Sequence, residues 1–276
     1  MEKKAIFLDI DGTLTEPGRN EPPASALEAV RRARDGGNYV FLCSGRSYGM
    51  LSSLLEYGFD GVIASAGGYI ECRGEVIYDC PMTKEQTERA MAVLKEHGVY
   101  CTVECMEGAY TDETFKEFLR EHEGEGKNSE MLRWQEQIES SFHTRPMAEY
   151  LGEPVYKIVI MSRTEEQLEI PRRILEREFV FSLPKGGEFG FVNGELINRQ
   201  FDKGRGVMRA CEYLGIPVER SVAFGDSIND REMLVTAGLG ICMENGCQEM
   251  KEIADDICPP VTEDGIYRAF EKYHLM

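Results

Sequence analysis

Apolar residues along this chain gather into short runs. Lys4–Leu8, Tyr39–Cys43, Gly61–Ala64 and Ser221–Phe224 are each only four or five residues long and read as buried strands, too short for helices. Between the early runs, apolar residues recur at helical spacing. Asn20 to Pro23 supply start signals for a helix carrying Leu27, Val30 and Ala33 on one side, and Gly36-Gly37 stops it. Met50, Leu51, Leu54 and Leu55 predict a second helix. Tyr69–Cys72 and Glu75–Asp79, joined by Arg73-Gly74, predict a hairpin. The end of the chain repeats this grammar. Lys203–Leu214 predicts a helix stopped by Gly215, Asn229–Ala237 another, Gly238–Met243 a strand, and Cys247–Ala254 and Ile266–Tyr273 closing helices. Strands alternating with helices imply an α/β fold, a Rossmann-like doubly wound parallel sheet covered on both faces.

The stretch from Met82 to Glu188 differs. Thr83 with Gln86 forms a capping-box start for a helix reaching His97. Val99–Glu104, Val155–Met161 and Val180–Leu183 predict strands, and the polar segment Gly124–Glu139 holds the single tryptophan, Trp134. Cys80-Pro81 leads in and Pro184-Lys185-Gly186-Gly187 leads out. Two connections at one place are what an inserted domain on two hinges requires. The expected organisation is a core from residues 1–81 and 189–276, with an α/β domain inserted over 82–188.

Composition narrows the chemistry. The 276 residues carry 31 basic and 49 acidic side chains, a net charge of −18, which repels phosphate backbones and anionic lipid. Nucleic acid and membrane are therefore not expected partners. No run approaches a membrane span, and the start is too short for a signal peptide. Nine cysteines, an odd number without a disulfide pattern, fit a reducing compartment, so a cytoplasmic protein is expected.

The candidate chemistry lies at the carboxyl ends of predicted strands, where open α/β sheets bind ligands. Asp9-Ile10-Asp11-Gly12-Thr13 follows the first strand. Two carboxylates so placed can divide labour, one attacking and one moving protons, while Gly12 lets backbone approach a ligand closely. Gly225-Asp226-Ser227-Ile228-Asn229-Asp230 follows another strand. Asp226 and Asp230 beside Asp9 would repel one another unless a divalent cation sat among them, and an all-oxygen donor set suits Mg²⁺. Ser44-Gly45-Arg46 sets a hydroxyl and a helix start at the same sheet edge, suited to phosphate. Lys203 opens a helix, where the dipole disfavours a cation unless anions lie nearby. Each motif also has an ordinary reading as turn, cap or surface charge.

Together these four motifs resemble the haloacid dehalogenase superfamily. Asp9 and Asp11 match its first motif, Ser44 its second, Lys203 its third, and Asp226 with Asp230 its fourth. The long interval between Ser44 and Lys203 matches the place of the α/β cap domain in the Cof-like sugar-phosphatase branch. The resemblance implies a phosphatase acting on a small phosphorylated metabolite such as a sugar phosphate. Asp9 would be the nucleophile and Asp11 the acid and base. Asp9, the Asp11 carbonyl, Asp226 and Asp230 would hold Mg²⁺. Gly12, Ser44, Gly45, Lys203 and Asn229 would contact phosphate, with Arg46 a substrate candidate. One departure is Ser65-Ala66-Gly67, where the family often has Ser-Asn-Gly.

Rival readings are a phosphohexomutase, suggested by Asp11-Gly12-Thr13-Leu14-Thr15 with Pro17 and Arg19, and an idle phosphosugar-binding module. In the expected cap, Arg133, Arg145, Lys157 and Lys185 are basic candidates for a second anionic group. Oligomeric state has no signature in the sequence.

Overall fold

The computed structural model describes residues 2–17, 19–112, 144–183 and 191–276. They form two units, Met1–Asp79 with Phe201–Met276, and Cys80–Gln200.

The first unit is built on an eight-stranded sheet. Its strands are β1 (Ala5–Leu8), β2 (Tyr39–Cys43), β3 (Gly61–Ala64), β4 (Tyr69–Cys72), β5 (Glu75–Asp79), β12 (Ser221–Gly225), β13 (Leu239–Met243) and β14 (Asp256–Cys258), in the order β14-β13-β12-β1-β2-β3-β4-β5. Pairing is parallel from β14 to β3, and the β4–β5 hairpin adds antiparallel strands at one edge. The central strands β1, β2 and β3 are apolar along their whole length because both faces are covered. Ala5, Phe7, Phe41, Cys43 and Ala223 pack on one side with Val207, Ala210, Met233 and Met250 from helices. Phe224, pointing the other way, meets Phe270 of the last helix at a ring separation of 5.6 Å. The doubly wound core expected from the alternation is therefore present.

Helix α1 (Ala24–Asp35) buries Ala26, Ala29, Val30 and Ala33 and ends at Gly36. The helix expected around Met50 is instead a 3-10 turn, Tyr48–Leu51, followed by one turn of α2 (Ser52–Leu55). Likewise the segment after Asp226 begins as a 3-10 turn, Ile228–Asp230, before turning α-helical at Arg231–Thr236. Both tight turns immediately follow motif residues at the sheet edge.

The second unit has a six-stranded sheet. Helix α3 (Lys84–Glu96) starts at Thr83 with both capping-box hydrogen bonds formed. The strands are β6 (Tyr100–Cys105), β7 (Ala109–Thr111), β8 (Thr144–Pro146), β9 (Val155–Ser162), β10 (Phe179–Ser182) and β11 (Val192–Asn198), in the order β10-β11-β9-β6-β7-β8. Helix α4 (Glu166–Leu175) was not legible because Pro171 lies inside it; the ring is buried and the chain stays helical. This unit runs to Gln200, beyond the expected end at Glu188, because β11 hydrogen-bonds between β9 and β10. Gly124–Glu139 and Pro184–Gly187 lie outside the described residues.

After β3 the backbone turns through three consecutive positive φ angles, Ser65 (50°), Ala66 (57°) and Gly67 (104°). Ala66 takes the left-handed region, which costs a residue with a Cβ about 1–2 kcal/mol. Ala66→Gly should raise the urea midpoint, by an amount equivalent to about 0.5–1 kcal/mol; an unchanged or lowered midpoint would show that the turn is unstrained.

Candidate active site

The ends of β1 and β12 lie side by side, with Leu8 in register with Phe224 and the Asp9 N–H donating to the Phe224 carbonyl at 3.0 Å. Parallel pairing thus brings Asp9 beside the Asp226 loop, although 217 positions separate them in the numbering. Helix α5 (Lys203–Leu214) brings in Lys203, whose Nζ donates to Asp9 Oδ1 and Asp230 Oδ1, each at 2.6 Å. All three side chains are essentially buried. Asp230 spends its second oxygen on the loop, accepting from the N–H groups of Asp226 (3.0 Å) and Ser227 (3.1 Å). Asp226 in turn accepts from Thr13 Oγ1 at 3.3 Å. Gly12, at φ +86°, brings its backbone so close that an added Cβ would lie 2.4 Å from Asp226 Oδ2.

Asp9, Asp226 and Asp230 each offer a carboxylate oxygen within 4.8 Å of the others. Three carboxylates share one ammonium, a local deficit of positive charge. Burial, then the Asp230 charge, push the Asp9 carboxyl up to about 7 against the opposing pull of Lys203. Burial, then the Asp9 and Asp230 charges, push Asp226 up to about 8. For Lys203 burial works downward, but the Asp230 and Asp9 charges outweigh it and hold the ammonium above its ordinary range. A divalent cation would supply the missing charge, and an all-carboxylate donor set suits a hard one. The cluster therefore fits a metal.

This imbalance has a consequence for stability. Asp9 and Asp226 bind protons more tightly in the folded than in the unfolded chain, so their contribution is complete below the ordinary carboxylate range. It is lost as pH rises through about 7 and about 8. With EDTA present, the urea midpoint should therefore fall between about pH 5.5 and about pH 8.5, and a divalent cation should restore it at the upper pH. A midpoint that rises over that range in EDTA would contradict the assigned proton affinities.

The remaining expected residues divide. Ser44 is buried at the end of β2, where its Oγ accepts the Arg46 N–H at 3.2 Å and its carbonyl accepts the Ala66 N–H. Gly45 has open space on its Cβ side. Asn229 is exposed, its Oδ1 accepting from Ser227 Oγ at 2.8 Å. Asp11 adds no carboxylate to the cluster. Its two oxygens accept from Arg46 Nη2 (2.6 Å) and Nε (3.0 Å). In the second unit, Lys157 is buried between Glu104 (3.2 Å) and Glu195 (2.7 Å), so its charge is matched within that sheet. Arg145 lies over the Tyr110 ring, 5.8 Å from its centre. Arg133 and Lys185 fall outside the described residues.

Sequence reasoning missed Asn245, whose Nδ2 donates to the Gly12 carbonyl at 2.8 Å. The next residues continue the support, with the Cys247 N–H donating to the Asp226 carbonyl. Asn245 lies two residues past the end of β13, so the rule that ligand sites lie beyond strand ends could have found it.

Carboxylates and a lysine are thus gathered at the carboxyl edge of the parallel strands. A family model for haloacid dehalogenase-like hydrolases matches residues 6–270, and the chain belongs to that family. It is similar to phosphatase YwpJ of Bacillus subtilis, 26% identical, with 95% of this chain and 97% of that protein covered. The 5-amino-6-(5-phospho-D-ribitylamino)uracil phosphatase YitU of the same organism is 24% identical, with 97% and 96% covered. Among solved structures, a haloacid dehalogenase-like hydrolase from B. subtilis superposes with a TM-score of 0.78 at 25% identity, with 99% of this chain and 100% of that one covered. The chain is a phosphatase of this family, a phosphoric monoester hydrolase. No described helix is long and apolar enough to cross a membrane.

Proposed function

We propose that the protein is a cytoplasmic, Mg²⁺-dependent phosphatase of a small phosphorylated sugar or polyol, working through an aspartyl phosphate on Asp9. The observation that carries this reading is the set of three carboxylates, Asp9 and Asp230 buried and Asp226 half-buried, gathered around one ammonium, with a further carboxylate, Asp11, two residues from Asp9. The polyol class is suggested by YitU, whose name specifies a phosphorylated ribityl chain. Nine cysteines without a pairing pattern support the cytoplasmic reading.

In this reading Lys203 holds Asp9 Oδ1, leaving Oδ2 to attack phosphorus in line. The Asp9–phosphorus bond forms as the ester oxygen leaves with a proton from Asp11. Asp11 then takes a proton from water as the water oxygen bonds to phosphorus and the Asp9–phosphorus bond breaks. Asp9, the Asp11 carbonyl and Asp226 would hold Mg²⁺, with Asp230 behind them. When bound it supplies positive charge to the phosphoryl oxygens, and positioning plus electrostatics make up most of the catalysis in phosphoryl transfer. Gly12, Ser44, Gly45 and Asn229 line the approach for phosphate, and the inserted unit sets specificity as a cap.

A panel of sugar, polyol and carboxylate monophosphates tests this reading, assayed with Mg²⁺ or EDTA and with a hexose bisphosphate added in parallel. Metal-dependent release highest on polyols is expected. Isomerisation without release would instead establish a mutase, a reading that none of the relatives named above favours.

A further inference from the structure

Arg46 is placed unlike a residue waiting for substrate. It is 6% exposed, and three of its nitrogens are engaged. Nε and Nη2 form a two-pronged contact with Asp11, and Nη1 donates to Asn20 Oδ1 at 2.7 Å. Its backbone is held as well, the N–H by Ser44 Oγ and the carbonyl by the Ser65 N–H at 2.8 Å. One residue, through its side chain and its backbone, therefore ties together the loops after β1, β2 and β3 and the segment leading to α1.

We propose that Arg46 is a positioning residue that fixes the Asp11 carboxylate for proton transfer to the departing oxygen, and that it does not touch substrate. This rests on the phosphatase reading above. A guanidinium fork sets the plane of a carboxylate, which a single-point cation cannot do. The Asp11 side chain is 21% exposed, so the fork orients a carboxylate that solvent also reaches. Misplacing a reacting group by about 1 Å costs about a hundredfold in rate.

The test compares kcat/KM for the best sugar phosphate of the panel with that for p-nitrophenyl phosphate, in the wild type, Arg46→Met and Arg46→Lys, with the inhibition constant of inorganic phosphate measured alongside. A sugar alkoxide leaves poorly and needs its proton, whereas nitrophenolate leaves without one. Arg46→Met should lose roughly a hundredfold on the sugar phosphate and about tenfold less on the nitrophenyl ester, with phosphate inhibition within about threefold of wild type. Arg46→Lys should show the same selective loss, reduced but not abolished, and it serves if Arg46→Met fails to fold. Equal losses on both substrates would reduce Arg46 to a structural role, and weakened phosphate inhibition would make it a substrate contact; either overturns the proposal. No release from either substrate by the wild type would instead overturn the phosphatase reading itself.

Discussion

Asp9→Asn should lower phosphate release by more than about a thousandfold, the scale seen when a covalent nucleophile is lost. The same change should make the metal-free protein less sensitive to alkaline pH. Asp9 is buried beside Asp230 and close to the half-buried Asp226, and among the described residues Lys203 is the cation that offsets them. Removing its charge relieves a repulsion that the fold otherwise carries for the sake of chemistry. The expected signature is thus an inactive protein whose urea midpoint in EDTA falls less between about pH 5.5 and about pH 8.5 than that of the wild type. Near-normal turnover would remove Asp9 from the nucleophile's role. Lost activity with an unchanged pH slope would mean that the raised proton affinity belongs elsewhere in the cluster.

Lys203→Met should produce the opposite balance. It leaves Asp9 and Asp230 without the ammonium that each contacts at 2.6 Å, in a place where Asp230 is fully buried and Asp9 nearly so. Breaking a buried ion pair by removing one partner costs about 3–5 kcal/mol, because the surviving charge is uncompensated. The urea midpoint at neutral pH should drop accordingly. Adding Asp9→Asn to Lys203→Met should recover part of the loss, since one of the stranded charges goes with it. A double variant less stable than Lys203→Met would show that methionine fits the α5 site badly, and that charge is not the cause.

Much of this site is written in the order of short apolar runs and the residues that end them. A parallel sheet aligns strand ends, so Asp9, Ser44 and Asp226, each following a predicted strand, had to share an edge. Lys203 was legible because a cation at a helix start is out of place until anions surround it. Side-chain pairing within the edge was not legible. Nothing in the tripeptide Ser44-Gly45-Arg46 tells whether the guanidinium turns outward to a ligand or inward to Asp11, because that depends on how two loops approach in space. Asn245 was overlooked for a related reason. Its role is a hydrogen bond to a backbone carbonyl, which leaves no mark on the residue types around Gly12. In the second unit, β11 was hidden by the irregular pattern Val-Asn-Gly-Glu-Leu-Ile-Asn, and its pairing with β9 carries that unit past the expected boundary.

In the proposed reaction phosphate passes through a covalent bond to Asp9, an intermediate that Asp11→Asn should trap. That variant lacks the carboxylate proposed to activate water, while p-nitrophenyl phosphate needs no acid to lose its leaving group. Mixed with this ester and Mg²⁺, quenched in acid and digested, Asp11→Asn should release nitrophenol in a burst stoichiometric with protein and carry phosphate on the peptide containing Asp9. A burst with phosphate on any other residue, or wild-type turnover in EDTA, would contradict the account.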